Sequence, residues 1–152
     1  MQWLESTYTE LAQLDRSKTV VILPVGAIEA HGPHLPLGTD GILAEGMARS
    51  AAAKVKEHGL GAVILPTYHW TVAGFAEDFP GTLSFAASNV VHWLRDLTRS
   101  LAQQGWMALA IANAHLDPGH LECLRMGLDD PPLPVIFPNL ARRRWAQRDR
   151  KS

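Results

Sequence analysis

Four short apolar runs punctuate the chain, at 19–25 (TVVILPV), 61–66 (GAVILP), 107–112 (MALAIA) and 133–137 (LPVIF). Continuous runs of this length, rich in Val, Ile and Leu, suit strands buried on both faces. Between them the apolar period lengthens. Leu43, Met47, Ala51 and Val55 recur at four-residue steps after Asp40, and Val91, Leu94, Leu97 and Leu101 at three- and four-residue steps. These spacings predict helices, stopped by Gly59 and Gly105. Strand, helix, strand, helix, strand is the order of βαβ units, so the expected fold is α/β, a parallel sheet covered by helices with right-handed crossovers.

In open sheets of this kind, ligands gather beyond the carboxyl ends of the strands. The polar clusters fall there. "GAIEAHGPHLPLGTD" (26–40) follows the first run, "TYHWTVAGFAEDFPGTLS" (67–84) the second and "NAHLDPGH" (113–120) the third. If the three strands are neighbours, the three loops converge on one pocket. Glu29 and His31 are two residues apart, which in an extended segment puts both side chains on one side, and His115 and Asp117 repeat that spacing. Asp40 opens the following helix. Glu29, His31, Asp40, His115 and Asp117 thus form a candidate ligand set for one or two divalent metals. Mixed carboxylate and imidazole suits Zn²⁺, Mn²⁺ or Fe²⁺. Two cations held close together repel, and Asp40 is the candidate bridging carboxylate. Since a divalent metal makes water acidic enough to ionise near neutral pH, the reaction class expected is hydrolysis of an amide or similar C–N bond.

Other polar residues receive plainer readings. His58 and His92 lie on predicted helices and are expected in solvent, while His34 and His69 are expected to be structural. His120, on the helix after the third run, is expected to point away from the cluster. Thr82 or Ser84 in "FPGTLS" is expected to cap a helix or to offer an anion its hydroxyl and amide. Trp70, Phe75 and Phe79 are either pocket wall or core. No serine lies in a Gly-x-Ser-x-Gly elbow, so serine hydrolysis is disfavoured.

Composition narrows the class. The 152 residues are 47% hydrophobic and 19% charged, which fits one globular domain. Six cations against the single acid Asp149 give residues 139–152 a formal charge of +5 and leave −6 for the rest. An acidic body argues against nucleic acid as the partner, and the basic stretch is read as a C-terminal helix or tail. One cysteine, Cys123, excludes an intrachain disulfide, and no apolar stretch has the length of a signal peptide or membrane span. A cytoplasmic protein with no membrane partner is expected.

"PVGAIEAHGPHLPLGTD" closely resembles the signature of the creatininase (creatinine amidohydrolase) family, with its Glu-x-His pair, Gly-Pro-His-Leu-Pro run and following Asp. "FPGTLS" and "ANAHLDPGH" resemble the family's Pro-Gly-Thr turn and third-strand loop, and the similarity runs in order over about 15–140. The resemblance implies a three-layer α/β/α domain over 1–138 and two divalent ions, with Zn²⁺, Mn²⁺, Fe²⁺ or Mg²⁺ among members. Its implied ligands are Glu29, His31, Asp40 as bridge, His115, and Asp117 in an acidic ligand's place. It also implies a homo-oligomer, often a hexamer. Family activities include opening of cyclic amides, deformylation of a formamidopyrimidine and cleavage of a modified peptide, so the expected substrate is a small molecule with a C–N bond. Leu116, where creatininase has an aromatic residue, and the unlike loop 67–78 argue against creatinine itself. Family members also carry a later motif resembling His-Ala-Gly-x-x-Glu-Thr-Ser that has no counterpart here. The alternative expectation is therefore a truncated, catalytically incomplete metal-binding homologue or subunit that acts by binding a ligand or partner.

Overall fold

A computed structural model describes residues 1–138; the basic segment 139–152 lies outside the described residues. After a short N-terminal helix α1 (Tyr8–Ala12), the order is β1 (Thr19–Val25), α2 (Thr39–Glu57), β2 (Gly61–Ile64), α3 (Ala87–Gln103), β3 (Ala108–Asn113), α4 (Pro118–Gly127) and β4 (Val135–Ile136). The four strands form one sheet in the order β2-β1-β3-β4, and every pairing is parallel. Among the described residues no helix is long and apolar enough to cross a membrane.

All seven residues of β1 are buried, as its unbroken apolar run requires. Alternate side chains serve opposite faces. Val20 and Ile22 join Ala62, Ile64 and Ala112 beneath Ala48 and Ala52 of α2, whereas Val21, Leu23 and Val25 pack with Val90, Val91, Leu94 and Leu101 of α3 and Cys123 and Leu124 of α4. The result is three layers, α2 on one face and α3 with α4 on the other. Both long helices end in Schellman motifs with glycine at positive φ. Gly59 N–H donates to Lys56 and Leu60 N–H to Val55, and Gly105 N–H donates to Ala102 and Trp106 N–H to Leu101.

The face of α2 is displaced by one residue from the four-step stripe of the sequence. Ala44, Ala48 and Ala52 are buried against the sheet, Met47, Ala51 and Val55 flank them, and Leu43 is exposed. Small residues let the helix axis lie close to the strands, so volume rather than hydropathy selects its inner face. At the start of α2 the approach is tighter still. A Cβ on Gly26, just beyond β1, would lie 2.4 Å from the carbonyl carbon of Asp40 and 2.5 Å from the amide nitrogen of Gly41.

Those neighbours are backbone and cannot rotate aside. Gly26→Ala is therefore expected to cost about 1–3 kcal/mol by overpacking. A urea titration should show a lower midpoint, and an unchanged midpoint would mean that α2 has room to retreat.

Candidate metal centre

β1 lies between β2 and β3, so the loops that follow all three strands meet at one end of the sheet. The first loop leaves β1 and is tied down at once. Glu29 N–H donates to the Leu37 carbonyl at 3.1 Å, which folds the 29–37 stretch back on itself. Ala30 N–H donates to Thr82 Oγ1 at 3.0 Å, and Ile28 and Leu83 form an antiparallel bridge. Gly32 supplies a left-handed turn at φ 72°. The chain then returns to Asp40 in the first turn of α2. Its carboxylate is buried, and Oδ2 accepts the Ala27 N–H at 3.4 Å.

Four of the five sequence candidates come together. Asp40 Oδ1 lies 3.0 Å from His31 Nε2, and its other oxygen, Oδ2, lies 3.0 Å from His115 Nδ1. Glu29 Oε1 is 3.0 Å from the same His115 Nδ1 and 3.8 Å from His31 Nε2. Single donor atoms of Glu29, His31 and Asp40 all fit within 4.8 Å of one another. Asp40 thus turns one oxygen to each imidazole, the disposition that a bridging carboxylate needs.

Both histidines are oriented from behind. His31 Nδ1–H donates to its own loop, at the Glu29 carbonyl (3.1 Å), and His115 Nε2–H donates to the Val72 carbonyl (2.8 Å). A carbonyl can only accept, so in the neutral imidazoles the nitrogens that face the carboxylates, His31 Nε2 and His115 Nδ1, carry lone pairs. Lone pairs then face anionic oxygens at 3.0 Å. That arrangement is stable only with a cation or a proton between them.

The electrostatics of the cluster agree. Burial raises the Glu29 pKa, the Asp40 charge adds to the rise, and the two histidines only partly offset it. For Asp40 burial acts upward as well, but hydrogen bonding and charge from His115, then His31, outweigh it and hold the carboxyl below its ordinary range. His115 is opposed by burial, yet its bonds to Asp40 and the Val72 carbonyl and the two nearby acids raise its pKa. The upward shifts of Glu29 and His115 both favour a positive charge where imidazole and carboxylates meet.

Asp117 stands apart from this group, contrary to the expectation from its i, i+2 spacing with His115. It is the N-cap of α4, where Oδ1 accepts from Gly119 N–H (2.7 Å) and His120 N–H (3.2 Å) while Oδ2 accepts from Phe75 N–H (3.2 Å). Helix geometry explains this: an Asp before Pro-Gly at a helix start satisfies amides that would otherwise lack acceptors. The hydroxyls in "FPGTLS" also depart from their expected capping role. α3 starts later, at Ala87, and Thr82 and Ser84 instead pin the loops by accepting from Ala30 and Ala73 N–H groups.

The remaining expectations divide. His34, His58 and His92 are exposed, and Cys123 is buried among apolar neighbours. His69 donates from Nδ1 to the Gly26 carbonyl (3.0 Å), and its ring fills the space that a side chain on Gly41 would need. Trp70, Phe75 and Phe79 are exposed, so they are not core. Phe79 joins Ala30, Gly32, Pro33, Leu37 and Pro80 around a cavity of about 390 Å³ on the first loop. His120, expected to point away, is fully buried with its ring 4.8 Å from that of His115. The Val72 carbonyl was invisible to residue-type reasoning because any residue there supplies it.

Comparison with known proteins places this geometry. Residues 4–130 match the family described as Creatininase, creatinine amidohydrolase. The chain is 29% identical over 119 residues to a creatinine amidohydrolase of Pseudomonas putida and 34% identical over 117 residues to a mycofactocin precursor peptide peptidase of Mycolicibacterium smegmatis. Each alignment covers 74% of this chain and 44% of the relative, so the chain spans less than half the length of either. Among solved structures, "Creatininase Mn" superposes with a TM-score of 0.78 at 24% identity, and a creatininase mutant of "Zn-Zn type" with 0.69 at 23%, each over 90% of this chain and 57% of the other. The parallel sheet, the loops that converge at its end and the match over most of the chain make this a member of the creatininase family.

Proposed function

We propose that the chain forms the metal-binding part of an amidohydrolase that cleaves a C–N bond in a cyclic amide, formamide or similar small molecule with metal-activated water. The observation that carries this reading is the pair of imidazole nitrogens, each left with a lone pair by a backbone carbonyl, that face two carboxylates at 3.0 Å. Glu29, His31, Asp40 and His115 would hold two divalent ions, Zn²⁺, Mn²⁺ or Fe²⁺, with Asp40 as the bridge. Ions held there supply Lewis acidity toward a carbonyl and acidify water. Asp117 is engaged by the amides of α4 and Phe75, and its one remaining lone pair, on Oδ2, is what it would offer an ion.

The chain's own part is to position and to exclude water. Asp40 and Glu29 supply two negative charges in a half-buried pocket, which offsets cation repulsion. The cavity bounded by Leu37, Phe79 and Pro80 lies on the loop that carries Glu29 and His31, and its apolar lining suits the apolar portion of a substrate. The exposed apolar residues Ile42, Leu43, Trp70 and Phe75 support a homo-oligomer, a hexamer by family resemblance, in which some of them are covered. A lone buried Cys123 suits a reducing cytoplasm.

Metal analysis and titration test the centre directly. The wild-type chain is expected to bind two equivalents of Zn²⁺ or Mn²⁺. Asp40→Asn, which keeps shape but removes the charge and one anionic oxygen, should bind no more than one and lose at least about tenfold in affinity. Unchanged stoichiometry and affinity in that variant would remove Asp40 from the bridge. In a panel of cyclic amides and formamides, hydrolysis that stops on chelation and returns with metal supports the reaction. Tight metal binding with no turnover would favour a metal-binding homologue without activity.

Protons should compete with the metal. His115 has a raised pKa, so apparent affinity is expected to fall by about tenfold per pH unit, per proton displaced, below that value. Without metal the sign reverses for stability. A pKa raised on folding contributes stability that is fully present below the unfolded value near 6.5 and is lost as pH rises through the folded value. Thermal melts of the metal-free wild type and His115→Gln should therefore converge as the pH is raised. A constant difference across the range would show that His115 does not titrate in contact with the acids.

A further inference from the structure

The surroundings of His115 contain a closed circuit of hydrogen bonds that the metal chemistry alone does not call for. Thr71 Oγ1 lies 2.6 Å from His120 Nδ1, and His120 Nε2 lies 2.9 Å from Asn113 Oδ1. Asn113 Nδ2–H donates to the His115 carbonyl at 2.7 Å, while its Oδ1 also accepts the His115 amide N–H at 3.3 Å. His115 Nε2–H then donates to the carbonyl of Val72, the residue bonded to Thr71. The circuit joins the loop after β2, the end of β3 and the first turn of α4.

Each link has a fixed direction. The Asn113 amide nitrogen is occupied as donor to a carbonyl, so its oxygen accepts and His120 Nε2 must carry hydrogen. His120 Nδ1 is then the acceptor of the Thr71 hydroxyl proton. Thr71 and His120 are fully buried and Asn113 nearly so, and water cannot replace a lost partner there. With Nε2–H donating to Asn113 and Nδ1 accepting from Thr71, the neutral ring has both nitrogens satisfied.

Resting on the reading of His115 as a metal ligand, we propose that Thr71, His120 and Asn113 are positioning residues that aim His115 Nδ1 at Glu29 and Asp40. Asn113 clamps both main-chain groups of His115. His120 holds Asn113 in the required amide orientation and packs against the His115 ring. Thr71 supplies the donor that His120 Nδ1 needs once Asn113 has taken its Nε2–H, and it adjoins Val72, whose carbonyl takes the His115 Nε2–H. A buried hydroxyl that touches neither carboxylate would thus help to set the direction of the His115 Nδ1 lone pair.

The full chain carrying Thr71→Val or Thr71→Ser separates this role from packing. Valine preserves shape and removes the donor; serine keeps the donor and loses a methyl. Zn²⁺ affinity, measured on folded protein by chelator competition, is expected to fall about 10–100-fold in Thr71→Val and to stay within about threefold of wild type in Thr71→Ser. Nitrogen-15 imidazole spectra of the metal-free protein, at a pH where both rings are neutral, should show Nε2–H tautomers for His115 and His120 in the wild type and in Thr71→Ser. The His115 signals should shift or broaden in Thr71→Val. Should Thr71→Val not fold, His120→Gln, which keeps one acceptor and one donor, is expected to retain affinity that His120→Leu loses. Equal affinity and unchanged His115 signals across either pair would overturn the proposal, as would equal losses in both members. A wild type that binds no Zn²⁺ would sink the amidohydrolase reading instead, while the metal-free spectra would still decide whether the circuit aims His115.

Discussion

The approach of α2 to the end of β1 is the constraint on which the centre depends. The helix brings Asp40 into the loop that leaves the strand, and it can do so because residue 26 has no side chain to hold the two backbones apart. The same proximity places the carboxylate between His31 on its own loop and His115 from the neighbouring strand. Ala44, Ala48 and Ala52 continue the close contact along the sheet. Close packing thereby fills the core and also sets distances in the site.

Polarity in the site is organised in shells of opposite demand. The inner oxygens of Glu29 and Asp40 are concentrated negative charge in a partly dry pocket, which is costly unless matched by a cation or proton. The outer nitrogens of both histidines face carbonyl oxygens, which removes the freedom to meet that demand by turning the ring. Asp117 satisfies backbone amides instead and keeps the start of α4 and the 74–76 turn in register. Charge for the inner shell and geometry for the outer come from different segments, so a substitution can damage one without the other.

How much of this was legible in the sequence follows from what kind of signal each feature leaves. Apolar runs mark buried parallel strands strongly, and all four appear, with β2 and β4 shorter than their runs although Leu65 and Pro134 still bond to β1 and β3. The meeting of Glu29, His31, Asp40 and His115 was legible because such residue types are scarce and lie at strand ends. Asp117 misled because the same carboxylate suits a metal and a helix start, and only the following Pro-Gly argued for the cap. The inner face of α2 was displaced because hydropathy ranks Leu43 above Ala44, while the space available ranks them in reverse. His120 was misread for want of its partner: Thr71 is distant in sequence and has no feature that marks it as a donor to a buried ring.

The parallel register has a kinetic consequence. Val20 pairs with Ala108 and Val25 with Asn113, across a crossover that includes two helices and β2. Closing such a distant pair is slow relative to forming either helix, because chain entropy is lost before the contacts repay it. Glu29 and Asp40 belong to an early, local unit, but His115 reaches them only when β3 docks. Before that event two carboxylates and one imidazole share the loop and helix start, and the fourth side chain joins them only afterwards. Contacts made only after the slow closure retard unfolding more than they hasten assembly.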